Sequence, residues 1–199
     1  MCTYVSPLAP AQGRLVSRFG WRAGIQPPHL PTFHAGIDIS IMGAPVGTVP
    51  VYCVAAGSIE LVGRNETQRG PLDGYGNCVA VRHESPAGPP QWSFYAHQDH
   101  LAGEWQPGQA IAVGTVLGFV GRTNNGKFPN MGPHLHFEVR RAGPGGRSPY
   151  PGPYRTYNLD PLPWLAERGI TFARRGVITL APPLSCDPSM LNQPQLAVR

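Results

Sequence analysis

Residues 132–139 read Gly-Pro-His-Leu-His-Phe-Glu-Val, and this stretch has the alternation of a β-strand. Side chains two positions apart in a strand lie on the same face, so His134 and His136 share one face and Leu135 points to the other. The apolar Leu135 predicts that its own face belongs to the core. Two imidazoles are therefore presented together on the opposite face, each with a nitrogen that can bind a metal or a proton.

A second stretch, residues 33–39 (Phe-His-Ala-Gly-Ile-Asp-Ile), places a histidine and a carboxylate four residues apart. In an extended segment, the period of two predicts His34 and Asp38 on one face. Zinc accepts histidine nitrogen and carboxylate oxygen, and a catalytic zinc site commonly has three protein ligands and one open position. These two residues and one of the two strand histidines supply that set, and the spacing alone leaves open which histidine it is.

The remaining strand histidine would lie beside the metal without binding it, where it can accept a proton from the attacking water. A further histidine, His97, follows the aromatic run Trp92–Tyr95. If this run is a strand next to the strand of His134 and His136, then His97 faces the same cleft. From there its imidazole can donate a hydrogen bond to the oxyanion of a tetrahedral intermediate.

The rest of the chain predicts a mainly β protein. Its 25 glycines and 24 prolines punctuate the sequence, while 41% hydrophobic against 14% charged residues favour a folded core over disorder. We predict an antiparallel β-sheet or sandwich-like core with an active-site groove. Seven strand-like runs form it: Arg14–Phe19, Ala35–Ile41, Val51–Val62, Asn77–His83, Trp92–His97, Ala110–Val120 and His134–Arg140.

The composition changes after Arg141, where residues 142–155 are too rich in glycine and proline for a central strand. We therefore predict one main domain over residues 1–165, with its core at about 13–141. A short turn of helix is expected in Asp160–Leu165. Residues 166–199 are predicted to be a C-terminal extension, whose Pro182–Arg199 part is a tail that lies over the surface or frays.

The net charge is +5 and the calculated pI is 9.3, which favours an anionic partner. Nucleic acid is not expected, because the arginines are scattered and no basic run is interleaved with aromatic residues.

The uncharged stretch Ile39–Ile59 is broken by prolines and glycines, so we expect no transmembrane segment. The N-terminal residues show no secretory signal, which indicates a removed signal or another export route.

The four cysteines show no Cys-x-x-Cys pattern, which argues against a zinc site built from cysteine. Two readings stay open, two disulfides in an oxidising compartment or buried thiols. Cys53 and Cys78 lie in apolar strand patterns, which suits small buried side chains. The pairing of Cys2, Cys53, Cys78 and Cys186 does not follow from the sequence.

Taken together, these segments resemble the lysostaphin/LytM-type zinc metallopeptidases, which cleave peptide bridges of bacterial cell walls. The resemblance covers about Gly13–Leu165, the last part of it through a match to the family's closing Asp-Pro segment at Asp160-Pro161. The matching landmarks, in chain order, are Ser17–Arg22, Phe33–Ile39, Pro50–Tyr52 with Ala56-Gly57, Gly74–Asn77, Tyr95–His97 and Gly132–Val139.

The resemblance implies one zinc ion per chain, with His34, Asp38 and His136 as ligands and His97 and His134 as unbound catalytic histidines. It implies a mostly antiparallel β fold with a groove across a sheet. The implied reaction is hydrolysis of stem or bridge peptides of peptidoglycan, in the periplasm, in the cell envelope or outside the cell.

Two loops, Gly24–Thr32 and Thr123–Gly132, are longer than is usual in that family and are expected to border the groove, so the bond that is cleaved stays open. One alternative function is a non-catalytic wall-binding or activator protein on the same scaffold. Another is an antibacterial effector or phage lysin that a partner system delivers, with a delivery or immunity partner that the sequence does not identify.

Overall fold

The computed structural model describes residues 3–23, 31–66, 72–85, 88–150, 156–173, 176–181 and 185–186. Within these ranges the chain is mainly β and antiparallel, with one short α-helix, which confirms the predicted fold class. No helix in the described part has the length and apolar character that a membrane span requires.

The strands and the helix are numbered in chain order. They are β1 (Tyr4–Val5), β2 (Arg14–Ser17), β3 (Gly20–Arg22), β4 (Thr32–His34), β5 (Ile37–Ser40), β6 (Pro50–Tyr52), β7 (Gly57–Gly63), β8 (Asn77–His83), β9 (Gln91–Leu101), β10 (Ala110–Ile111), β11 (Val116–Val120), β12 (His134–Arg141), β13 (Asn158–Leu159), α1 (Pro161–Ala166), β14 (Ile170–Phe172), β15 (Ile178–Leu180) and β16 (Ser185–Cys186).

One large antiparallel sheet organises the molecule. Its strand order is β10-β7-β8-β9-β12-β5-β2, with β11 pairing both β6 and β9 and with β13 beside β12. The pairs β3–β4 and β14–β15 form small antiparallel sheets, and β1 pairs β16 in parallel. Strand β12 thus lies between β9 and β5, which brings three of the sequence motifs side by side.

The predicted runs match the strands to different degrees. Strand β8 has the predicted limits, whereas the run Val51–Val62 contains two strands, β6 and β7, and the run Ala110–Val120 contains β10 and β11. Between β10 and β11 the chain turns at Gly114, whose φ of 77° is a left-handed conformation that favours glycine. The β3–β4 hairpin was not predicted, because the proline-rich residues between its strands hide the pairing.

The main apolar cluster collects side chains from β5 to β12, and it also reaches beyond residues 13–141. Leu8, Trp164 and Leu165 are buried in it, as are Ile170 and Ile178 from the segment predicted to be an extension. The short helix expected at Asp160–Leu165 is confirmed as α1. Asp160 caps it by accepting a hydrogen bond from the backbone N–H of Leu162.

Two of the four cysteines lie in the interior. Cys53 belongs to the main cluster and Cys78 to a smaller one, and no disulfide joins them. Burial raises the pKa of the Cys53 thiol to about 12, and the thiol donates to the carbonyl oxygen of Ala55. Cys2 lies outside the described residues, and of Cys186 only the backbone is described.

His83, on β8, is a buried histidine away from the motif strands. Its Nδ1 donates to the carbonyl oxygen of Ala56 at 3.0 Å, and its Nε2 lies 2.7 Å from the Ser93 hydroxyl oxygen. Burial, with a smaller contribution from the charge of Arg168, lowers the pKa of His83 from 6.5 to about 4. The folded protein therefore holds this imidazole neutral under mildly acidic conditions.

We expect His83 to make folding stability sensitive to acid. Because its pKa is lower in the folded than in the unfolded chain, the unfolded chain binds more protons below pH 6.5. Stability from this residue is complete above pH 6.5 and falls by about 3 kcal/mol as the pH approaches 4. Urea unfolding of the wild type and of His83→Gln at several pH values measures the difference. An equal pH dependence in the two proteins would contradict the assignment.

Candidate metal centre

Three side chains that suit a metal converge on one point of the sheet. Asp38 on β5 and His136 on β12 are direct cross-strand neighbours, and His34 is the last residue of β4. Asp38 Oδ1 lies 3.0 Å from His34 Nε2 and 3.0 Å from His136 Nδ1, and the two nitrogens are 3.1 Å apart. These three residues are a group whose ligand atoms could hold one metal ion.

His34 and Asp38 meet for a reason different from the predicted one. They do not lie on one continuous strand, because β4 ends at His34 and β5 begins at Ile37, in a different sheet. The chain between them passes so close to β12 that a Cβ on Gly36 would lie 2.3 Å from the carbonyl oxygen of Phe137. The absence of a side chain at Gly36 thus permits the approach that brings both residues to His136.

Hydrogen bonds orient both imidazoles of this group. His34 Nδ1 is 2.8 Å from the carbonyl oxygen of Arg18, which can only accept, so Nδ1 carries the proton and Nε2 offers a lone pair. His136 Nε2 is 3.0 Å from the ionised carboxylate of Glu138, so its Nδ1 offers the lone pair. The two lone pairs and Asp38 Oδ1 therefore face the same point. A metal-binding imidazole is usually oriented in this way, by a hydrogen bond from its other ring nitrogen.

The electrostatic field at this point favours positive charge. Burial alone would raise the pKa of Asp38, but the close imidazoles of His136 and His34, which can share a proton with it in the absence of a metal, hold it far below its ordinary value. Burial alone would likewise lower the pKa of His136, but the carboxylates of Asp38 and Glu138 raise it to about 9, so in the absence of a metal Nδ1 holds a proton that a bound cation would replace. Donor types, spacing and field all fit a divalent cation such as zinc.

His97 reaches the same place through an irregularity in β9. The pairing of β8 with β9 shifts register between Asn77 and Val79, and His97 has a φ of 61°, which is rare for a residue other than glycine. Its backbone N–H donates to the carbonyl oxygen of Tyr75 at 2.8 Å. Its Nδ1 donates to the carbonyl oxygen of Thr123 at 2.9 Å, so Nε2 carries the lone pair.

His134 lies next to His97, with ring centroids 4.8 Å apart. Its Nδ1 donates to the carbonyl oxygen of Gly132 at 2.8 Å, and its Nε2 is 3.5 Å from Asp38 Oδ1. Burial lowers the pKa of both histidines, that of His97 to about 3 with the help of the neighbouring imidazoles. Both rings are therefore neutral, and each presents a lone pair beside the cluster of His34, Asp38 and His136.

Sequence reasoning assigned no function to Glu138, which lies behind His136 with an exposed fraction of 0%. Its Oε1 accepts from Tyr75 Oη at 2.7 Å and from His136 Nε2, and its Oε2 accepts from Arg140 Nε at 2.8 Å and Asn158 Nδ2 at 2.9 Å. Although burial raises the pKa of a carboxyl group, the charge of Arg140 and these donors lower it to about 2. The alternation of residues 134–140 could have indicated this position, since Glu138 shares the face of the two histidines.

The cluster forms the floor of a groove of about 640 Å³. Arg22, Thr32 and Phe33 of the β3–β4 hairpin line it, as do Lys127, Phe128 and Met131 of the long loop expected to border it. Lys127 Nζ and Asn125 Nδ2 each lie 3.1 Å from the carboxylate of Asp73 and hold this loop in place. The other expected loop, Gly24–Thr32, lies outside the described residues except for its last two positions.

Fold and site together agree with one class of enzyme. The sequence pattern of Peptidase family M23 matches residues 32–148, and the chain belongs to this family. The predicted resemblance to the lysostaphin/LytM-type peptidases is thereby confirmed.

Individual relatives agree with this assignment. The chain is 38% identical over 132 residues to the DD-carboxypeptidase/endopeptidase Mpg of Neisseria meningitidis serogroup B, a match that covers 65% of this chain and 25% of Mpg. The chain thus spans about a quarter of the length of the curated relatives that it matches.

Solved structures share the fold. The catalytic domain of lysostaphin from Staphylococcus simulans is 20% identical, with a TM-score of 0.54 over 79% of this chain and 95% of that domain. A zinc-containing peptidase from Vibrio cholerae is 25% identical, with a TM-score of 0.50 over 69% of this chain and 36% of the other.

Proposed function

We propose that this chain is a zinc-dependent endopeptidase that hydrolyses peptide cross-links of bacterial peptidoglycan. The observation that carries the proposal is the convergence of His34 Nε2, His136 Nδ1 and Asp38 Oδ1 to within 3.1 Å of one another on the floor of an open groove. Family membership supports the peptidase activity, and a zinc-containing peptidase among the structural matches supports the choice of metal.

In this proposal His34, Asp38 and His136 hold one zinc ion. Three protein ligands leave a position for water or substrate, and zinc supplies Lewis-acid activation of both. The hydrogen bonds that orient the two imidazoles are already formed: His34 Nδ1 donates to Arg18 O, and His136 Nε2 donates to Glu138.

His134 then serves as the general base. Its Nε2 lone pair points towards the cluster, because Nδ1 donates to Gly132 O, and the lowered pKa keeps the ring able to accept a proton. His97 also begins as an acceptor, because its Nδ1–H is engaged by Thr123 O. It can donate from Nε2 to the oxyanion only after it has taken up a proton, and in this proposal that proton comes from the His134 imidazole, whose ring centroid is 4.8 Å away.

The groove suits peptides of the cell wall. Phe33, Phe128 and Met131 provide apolar contacts along its walls, and Arg22 and Lys127 provide positive charge. A positively charged protein also suits a wall that carries many carboxylates. The place of action in this proposal is the periplasm, the cell envelope or the extracellular space. The complete set of ligands and unbound histidines favours an enzyme over a non-catalytic activator.

We expect the purified chain to contain about one zinc per molecule and to lose wall hydrolysis when a strong chelator removes it. Elemental analysis and release of soluble fragments from isolated peptidoglycan measure the two properties. Adding zinc back should restore the activity. Full hydrolysis in the presence of the chelator, or no zinc uptake after metal addition, would contradict the proposal.

A matched pair of variants tests the ligand assignment. Asp38→Asn removes the carboxylate charge at the cluster and should lower zinc affinity sharply. Asp99→Asn makes the same change in another histidine–carboxylate pair. This pair is exposed, and Asp99 Oδ2 lies 2.9 Å from His100 Nδ1. This variant should keep the zinc content of the wild type. Equal zinc binding by the two variants would place the metal elsewhere.

A further inference from the structure

His97 keeps its place in the groove on a backbone that a β-strand does not normally adopt. Its φ of 61° lies in the left-handed region, which a residue other than glycine occupies only when its surroundings hold it there. The strands on the two sides of β9, which are β8 and β11, each shift register near this residue. Contacts other than regular strand pairing must therefore fix its conformation.

Two side chains from other segments bind the carbonyl groups that follow His97. The hydroxyl group of Thr123 donates to the carbonyl oxygen of Gln98 at 2.6 Å. Asn77 Nδ2 donates to the carbonyl oxygen of Asp99 at 2.8 Å. A shift of register interrupts the regular ladder of a sheet, and these two side chains supply hydrogen bonds at that point. The backbone after His97 is thus held from outside the strand.

Thr123 also contacts the His97 ring. Its carbonyl oxygen accepts from Nδ1 of His97 at 2.9 Å, which leaves the lone pair on Nε2. Its hydroxyl oxygen accepts from the backbone N–H of Asn77 at 2.9 Å while it donates to Gln98. Because a hydroxyl group has one proton, these two partners fix the direction of both bonds. One residue therefore holds the backbone and the imidazole of His97 together.

Neighbouring residues hold Thr123 and Asn77 in turn. A Cβ on Gly76 would lie 2.1 Å from the Thr123 carbonyl oxygen, so the absence of a side chain there permits the two segments to meet. Asn77 Oδ1 accepts from the backbone N–H of Asn65 at 2.9 Å, and Asn65 Oδ1 accepts from the backbone N–H of Asn125 at 2.7 Å. The network thus returns to the loop that lines the groove, two residues after Thr123.

The direction of the His97 side chain depends on these contacts. In a regular strand the direction follows from alternation, which the left-handed backbone at His97 interrupts. A left-handed backbone costs about as much free energy as one or two hydrogen bonds contribute. Removal of the Thr123 hydroxyl group takes away two such bonds, which is enough to let His97 relax towards the extended conformation and to move its Nε2.

We propose that Thr123 and Asn77 are positioning residues, which hold His97 in its left-handed conformation and direct its Nε2 lone pair into the groove. The catalytic consequence rests on the proposed peptidase function, whereas the hold on the ring does not. Thr123 acts on the backbone and on the ring, and the Asn77 side chain acts on the backbone alone. Loss of the Thr123 contacts should therefore have the larger effect.

Thr123→Val removes the hydroxyl group, changes the shape little and keeps the carbonyl group. In the zinc-loaded enzyme, kcat for a soluble cross-linked muropeptide should fall about 10- to 100-fold, with KM and zinc content near the wild-type values, because orientation is lost and binding is not. Thr123→Ser returns the hydroxyl group and should restore most of kcat. Thr115→Val is the matched control, since it removes a hydroxyl group that donates to Ala112 O at 2.9 Å outside the groove, and it should leave kcat unchanged.

The same change in a His97→Ala background separates a positioning role from a merely structural one. If Thr123 acts through His97, Thr123→Val should lower kcat by less than about twofold once the imidazole is absent. An undiminished fall of kcat in that background would overturn the proposal, as would a Thr123→Val enzyme with the kcat of the wild type.

Asn77→Ala tests the backbone contact alone, and it decides the matter if circular dichroism shows that Thr123→Val does not fold. This variant releases the Asp99 carbonyl group and should lower kcat by less than Thr123→Val does, again with KM unchanged. A rise of KM with kcat unchanged would contradict a positioning role for Asn77.

The ring nitrogens of His97 give a readout that does not depend on turnover. In the purified chain with ¹⁵N-labelled histidine, the His97 signals, assigned by their absence from His97→Ala, should show the tautomer with the proton on Nδ1. Thr123→Val should add the tautomer with the proton on Nε2, and Thr115→Val should not. An unchanged tautomer in Thr123→Val would overturn the proposal. A ring that Thr123 holds in this way, in a chain that hydrolyses no wall, would contradict the proposed peptidase function and leave the positioning role standing.

Discussion

The variants His136→Ala and His134→Ala are expected to separate metal binding from catalysis within two residues of one strand. His136→Ala removes a nitrogen of the triangle with His34 and Asp38, so it should lose both zinc and wall hydrolysis. His134→Ala removes an imidazole that lies 3.5 Å from Asp38 Oδ1 but outside the triangle, so it should keep its zinc. Its turnover should fall by about 10²- to 10⁴-fold, the usual contribution of general acid–base assistance.

The measurement is zinc stoichiometry beside the rate of wall digestion, with circular dichroism to confirm folding. His97→Ala is expected to resemble His134→Ala, with zinc retained and a slower chemical step. His100→Ala changes an exposed histidine on the same strand as His97 and should leave both quantities unchanged. If His134→Ala lost the metal while His136→Ala kept it, the assignments would be reversed. Three active variants would place the site elsewhere.

The parts of this site that could be predicted from sequence are those governed by local periodicity. His134, Leu135 and His136 alternate across β12 as a strand requires, and Leu135 is fully buried in the main cluster. The mainly antiparallel architecture followed from short apolar runs between glycine and proline, which leave little room for helices. The end of β12 at Arg141 likewise matches the change of composition that follows it.

The parts that could not be predicted depend on contacts between distant segments. Periodicity placed His34 and Asp38 on one strand, whereas Gly36 divides them between two sheets and makes room for a carbonyl oxygen of β12. The orientation of His97 comes from a left-handed backbone within β9, which regular alternation does not anticipate. A local bulge of this kind changes where one side chain points while the rest of the strand keeps its pairing.

Glu138 shows the same limit for a buried charge. Two of its hydrogen-bond donors, Tyr75 and Asn158, come from other segments of the chain, and a third, Arg140, lies two residues further along β12. Asn158 also donates to the carbonyl oxygen of Ala35 at 2.8 Å, so one amide joins β13, the segment before β5 and the carboxylate. The network therefore connects the metal cluster to the strand pairing around β12, and its loss should affect both.

We expect Glu138→Gln to be the most destabilising single change of a polar side chain near this site. The carboxylate accepts from four donors, and an amide in its place must turn its own N–H₂ towards at least one of them. Arg140, only 2% exposed, then loses its charged partner, and breaking a buried pair of this kind costs about 3–5 kcal/mol. Zinc affinity should fall about 10- to 100-fold, because His136 loses the acceptor that orients it.

Urea unfolding and competitive zinc titration measure the two effects, and Glu104→Gln is the matched control, since it neutralises a largely exposed glutamate paired with Arg64. The control should leave stability and zinc affinity unchanged, because exposed ion pairs contribute little. Tyr75→Phe removes one of the two donors to Oε1, so it should cost less than Glu138→Gln and add little to it when the two are combined. Fully additive effects in that double variant would show that Tyr75 and Glu138 act separately, and an unchanged zinc affinity in Glu138→Gln would show that His136 keeps its orientation through other contacts.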